Sequence, residues 1–156
     1  MKTILVLILL AAAAFVAWPY YHVWELDRAV AKNDAVALNR LVDIAAVREE
    51  IKGRLERDMN RAVGGHSEGF LGWLQNGVRR MGTDAIESMI TIPWVRDQLQ
   101  AKNRPGDPPG YWHNMSYAFF DSPTTFLVRI GKLGDDPVHA ELSLQGIDWR
   151  LTALYN

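Results

Sequence analysis

The chain has no cysteine. Disulfides, thiolate metal sites and cysteine nucleophiles are therefore excluded. Its four histidines stand at 22, 66, 113 and 139. No two have the i, i+4 spacing that turns both imidazoles to one helix face, so no metal centre is expected. Glycine-rich phosphate and dinucleotide loops are missing, as is a Gly-x-Ser-x-Gly elbow, and no cofactor is expected. Gly65-His66-Ser67-Glu68 holds nucleophile, base and acid types. Adjacent side chains diverge, however, and make no relay, so the segment reads as a loop and helix start. A clustered basic stripe is also lacking. Glu25–Arg104 carries 13 basic and 12 acidic residues, and Pro105–Asn156 carries 3 and 6. Nucleic acid is not an expected partner.

The longest absence is of charge. Between Thr3 and Trp24 there is no Lys, Arg, Asp or Glu. Lys2 precedes this run and Glu25 ends it. At about 1.5 Å per residue it extends about 33 Å, enough for a spanning helix of about 20 residues. Trp18, Tyr20, Tyr21 and Trp24 then fall where an aromatic belt lies. A signal peptide is the alternative, since Ala12-Ala13-Ala14 meets the small-x-small cleavage rule. We read residues 1–24 as a signal anchor, with cleavage as the alternative. Both readings place residues 25–156 outside the cytoplasm: a single-pass protein of the cytoplasmic membrane with its domain in the periplasm, or a secreted or periplasmic one.

The remaining residues suit one domain able to bury a core without staples. Helical periodicity dominates 25–104. Pro19 at a first turn opens a helix reaching about Ala31. Asn33 suits a left-handed C-terminal position, and Asp34 caps a short helix over 35–42. Asp43 caps the next, over 44–62, with Val47, Ile51, Leu55 and Met59 as its buried stripe and Glu50–Arg54 as an i,i+4 ion pair. Gly64-Gly65 breaks the chain. Phe70, Leu71, Leu74, Val78 and Met81 make another stripe. Thr83 or Asp84 caps a further helix, and Pro93–Gln100 forms the last. A proline-rich loop, 104–110, then separates two regimes. Over 111–156 the period falls to 2, and strands are expected at 115–120, 124–132, 138–145 and 148–155. The fold class is α+β: an N-terminal apolar helix, then several amphipathic helices packed on a C-terminal four-stranded antiparallel β-meander.

Short motifs carry a resemblance. Pro19-Tyr-x-x-x-Trp-x-Leu-x-x-Ala29 follows the apolar start, then come Leu41-Val-Asp-x-x-x-Val-Arg48, Thr91-Ile-Pro93 and Gly146-x-x-Trp149-Arg-Leu-Thr152. This order resembles a family of bacterial proteins catalogued as domain of unknown function 2939. Two positions depart from its pattern: Ile44, where an aromatic is common, and Trp94, where an acidic residue often follows the proline. The resemblance implies an envelope-associated protein and carries no catalytic residues onto this chain.

Two groups of binding candidates remain. Asp43 and Arg48 pair a carboxylate with a guanidinium; a helix cap for Asp43 and a separate partner for Arg48, which lies well round the helix, explain them better. Tyr111, Trp112 and His113 follow the rigid loop, and Trp149 and Arg150 stand near the chain end. They line a pocket between helices and sheet, or plug its end. The function expected is non-catalytic: a binding or accessory module for an envelope protein partner or an apolar or carbohydrate-like ligand. A hydrolase with a cleft assembled from distant residues is one alternative. A structural membrane-proximal protein is another.

Overall fold

A computed structural model describes residues 1–61, 70–82 and 84–156. Gly64-Gly65, His66-Ser67-Glu68 and Thr83 lie outside them, as do the side chains of Met59, Phe70, Leu71 and Met81.

The first element is a single helix, α1 (Lys2–Lys32), of 31 residues. Pro19 lies inside it and does not start a second helix. Proline has no N–H, so the Phe15 carbonyl lacks its usual i+4 partner; one lost bond in a long apolar helix is tolerated. The helix ends at Asn33, whose φ of 53° and ψ of 41° form the expected left-handed cap. Asp34 accepts from the Val36 and Ala37 N–H groups and starts α2 (Ala35–Leu41). Asp43 accepts from the Ala46 N–H at 3.1 Å and starts α3 (Ile44–Arg61). The Glu50–Arg54 pair forms at 2.8 Å. Next come α4 (Phe70–Met81), α5 (Asp84–Met89) and α6 (Ile92–Leu99). Asp84 is the first residue of α5, and Thr91 caps α6 through the Trp94 N–H.

A 3-10 turn, Trp112–Asn114, leads into β1 (Met115–Ser122). It is followed by β2 (Thr125–Ile130), β3 (Val138–Gln145) and β4 (Asp148–Tyr155). The strands pair antiparallel in the order β1-β2-β3-β4, the expected meander. Val42 adds a bridge to Leu151 at the β4 edge.

Alternation along the strands turns Phe126, Val128, Ile130, Ala140, Leu142 and Leu151 inward. They meet Val23, Leu26 and Val30 of α1, Leu38 of α2 and Val95 and Leu99 of α6 in one core. Each of these side chains larger than alanine contributes about 1.5–3 kcal/mol by leaving water. An irregularity in β4, where Glu141 faces Ala153 but Leu142 faces Leu151, puts Ala153 and Tyr155 on the second face. There Arg54 of α3 lies 3.8 Å from the Tyr155 ring centre, and Tyr155 stacks on His139. Helices therefore cover most of one face and reach the other at β4.

The domain begins partway along α1. Residues 1–18 are exposed, and burial starts at Pro19. Phe15 stacks on Phe120 and the Trp18 indole donates to the Ile147 carbonyl at 2.7 Å.

Candidate functional site

The sequence candidates fall into separate places. Asp43 has two roles. One carboxylate oxygen caps α3, and the other accepts from the Gln145 amide at 2.8 Å. The Gln145 bond first, then the Ala46 and Ala45 amides and the Arg150 charge, hold its carboxyl below the ordinary 3.8. Arg150 donates to Gln145 and to the Arg40 and Val42 carbonyls, each at 3.0 Å in the latter two cases. It thus satisfies the C-terminal end of α2. Asp43 and Arg150 are brought together through Gln145, which the sequence did not single out.

Arg48 points elsewhere. It donates to the Ile90 and Glu87 carbonyls at 2.9 Å and closes the C-terminal end of α5. Trp149 is 1% exposed and packs edge-on against Phe120 and Phe126. Tyr111 is also buried, and its hydroxyl donates to the Val23 carbonyl at 2.9 Å. Burial pushes its phenol well above 10.0, so it is a neutral donor.

Asp27 is not among the sequence candidates, and it lies on α1. It accepts from the Tyr111 N–H at 2.6 Å and the Trp112 N–H at 2.9 Å. A Cβ on Gly110 would come 2.5 Å from its Oδ1, and Gly110 has a φ of +97°, which favours glycine. Asp27 therefore fixes the end of the proline-rich loop onto α1. Asn103 adds a bond to the Gly110 carbonyl, and Asn114 bonds to Asn103 and the Lys102 carbonyl.

This clamp shapes a cleft of about 620 Å³ at the start of β1. Lys102, Arg104, His113, Ser116, Lys132 and Asp135 line it. Lys102 Nζ donates to the Asp135 carbonyl. Ser116 donates to the Gly131 carbonyl at 2.6 Å and accepts from Arg129, so its hydroxyl is already committed. His113 Nε2 lies 3.5 Å from Asp107. Arg104 and Lys132 have no ion-pair partner among the described residues. The cleft is cationic and polar, suited to a negatively charged group. His113 is the sequence candidate that lines it; Trp112, its neighbour in the chain, is exposed. Among the described residues no three His, Asp or Glu side chains converge as a metal site.

The class is thus an α+β domain led by one apolar helix long enough to cross a membrane or to act as a signal sequence. The chain belongs to the family described as protein of unknown function, DUF2939, which matches residues 8–98. That match runs from within α1 into the last turn of α6 and stops before the sheet. No curated protein and no solved structure matches the chain.

Proposed function

We propose that the chain is a single-pass, membrane-anchored binding module with residues 25–156 in the periplasm. Its ligand is a negatively charged group on an envelope partner, taken by the cleft of Lys102, Arg104, His113 and Lys132. The observation that carries the reading is this cationic cleft at the end of the domain opposite the anchor. Lys102, Arg104 and Lys132 outnumber Asp135, the one carboxylate that lines the cleft, and Arg104 and Lys132 make no ion pair among the described residues. In a partly enclosed site such charges attract an anion more strongly than on open surface.

Crosslinking from position 132 in native membranes tests it. One specific adduct is expected, and Arg104→Glu with Lys102→Glu should abolish it. An adduct that survives both reversals, or none above background, would overturn the reading.

One observation favours cleavage. Phe15 stacks on Phe120 of the domain, and it follows Ala12-Ala13-Ala14. Mass spectrometry of the mature N-terminus decides between the two: Met1 retained supports the anchor, and Phe15 first supports export with cleavage.

A further inference from the structure

The contacts along α1 define a height scale. Asp27 holds Trp112, Tyr20 bonds to the Ala118 carbonyl at 3.0 Å, and Phe15 stacks on Phe120. β1 therefore descends beside α1 toward the N-terminus. The β1–β2 turn ends level with Phe15 and Val16, forming a shallow groove with Phe120 and Pro123. The β3–β4 turn lies at the same end, with Ile147 bonded to Trp18.

This leaves only Lys2–Ala14 free of the domain, about 20 Å of helix. A bilayer's hydrocarbon core is about 30 Å thick. The charged Lys2 end stays at the far interface. The shortfall of about 10 Å is then met by drawing the end of the domain toward the lipid or by thinning the bilayer.

The residues at that end suit such contact. Phe119 is 53% exposed and Ile147 is 77% exposed, with Phe15, Trp18 and Tyr21 exposed around the helix. Aromatic rings with one polar edge favour the headgroup boundary. The two turns carry Asp121 and Asp148 and no Lys or Arg. Attraction to anionic lipid is therefore not what seats them.

We infer that the two hairpin turns and the exposed aromatics around Trp18 form a lipid-contacting surface that sits in the headgroup layer of an uncharged (zwitterionic) bilayer. This surface rests on the anchor reading proposed above. It fixes the domain's height and presents the cationic cleft at the opposite end, away from the membrane.

The absence of native cysteine makes the test direct. The full chain is reconstituted in phosphatidylcholine vesicles with a single environment-sensitive dye at Phe119→Cys, Ile147→Cys, Leu133→Cys or Leu7→Cys. Leu133 is exposed in the turn at the other end of the sheet. Circular dichroism checks each fold. Labels at 119 and 147 should shift to shorter wavelength and be quenched several-fold more than at 133 by a nitroxide near the headgroups. Longer acyl chains should increase that quenching. If 119 and 147 resemble 133 while position 7 is quenched from the bilayer centre, the anchor stands and the surface is refuted. If position 7 is also in water, the anchor reading falls and the inference with it. A requirement for anionic lipid would overturn the assigned lipid class.

Discussion

Asp27 shows how much of this domain depends on one carboxylate between distant segments. Removing it leaves the Tyr111 and Trp112 N–H groups without their acceptor. Asp27→Ala should cost about 1–3 kcal/mol in denaturant unfolding, the usual penalty for a part-buried donor left unpaired. Asp27→Asn keeps an acceptor oxygen and should cost less. The sequence places Asp27 on a helix but hides its partners, which lie 84 and 85 residues away. Glu141 behaves in the opposite sense. Burial first, then the Glu50 and Asp121 charges, raise its carboxyl above the ordinary 4.5, while Arg54 opposes them. A raised folded value favours the protonated form. The balance is most favourable below 4.5 and worsens as pH rises through the folded value. Glu141→Gln should therefore raise thermal stability at pH 7 by less than about 1 kcal/mol, since water screens this part-exposed group. At pH 4 the gain should vanish. A melting series across pH measures both.

At the scale of the element, helix ends separate what was legible from what was not. Caps built within a few residues were readable: Asn33 and Asp34 between α1 and α2, and Asp43 before α3. The physics there is local, because a side-chain oxygen meets an N–H two or three residues on. Strand spans over 138–145 and 148–155 were readable for the same reason, through alternation. C-terminal ends closed from afar were not. Arg48 serves α5 across 39 to 42 residues, and Arg150 serves α2 across 108 to 111. Arg150→Met keeps the aliphatic stem and removes the donors. It should destabilise by about 1–3 kcal/mol, with an added loss for the Gln145 bridge to Asp43. The Asp43 carboxyl is held low, so its contribution is present above 3.8 and is lost as pH falls through its folded value. In Arg150→Met that acid transition should move to higher pH, read as the midpoint of acid unfolding. An unchanged midpoint would mean that Gln145 and the cap alone set the Asp43 titration.

For the whole molecule, the decisive feature is where the apolar run joins the domain. Charge absence marks Thr3–Trp24 as one stretch, and the helix opening at Pro19 already suggests that its last turns belong to the domain. The fold divides the stretch, because burial needs partners that come from β1, β4 and the 111–114 turn. Pro19 and Val23 are buried, whereas Ile4 to Leu10 remain more than half exposed. Two truncations follow from this boundary. Removing residues 1–14 takes away no side chain that packs on the domain. The shortened chain should keep the thermal midpoint of the full chain within about 2 °C, matching the small effect of surface changes. Removing residues 1–24 also deletes Val23 from the core, the Val23 carbonyl that accepts from Tyr111, and the Tyr20 ring 4.9 Å from Phe126. Loss of two such side chains and a buried bond is worth about 4–8 kcal/mol. Total stability is about 5–15 kcal/mol, so this second chain should be largely unfolded at 37 °C. Equal melting of the two truncated chains would show that residues 15–24 belong to the membrane segment alone. Unfolding of the second only would show that α1 is at once the apolar lead and a core helix, so the domain cannot swing freely about the point where the helix leaves it.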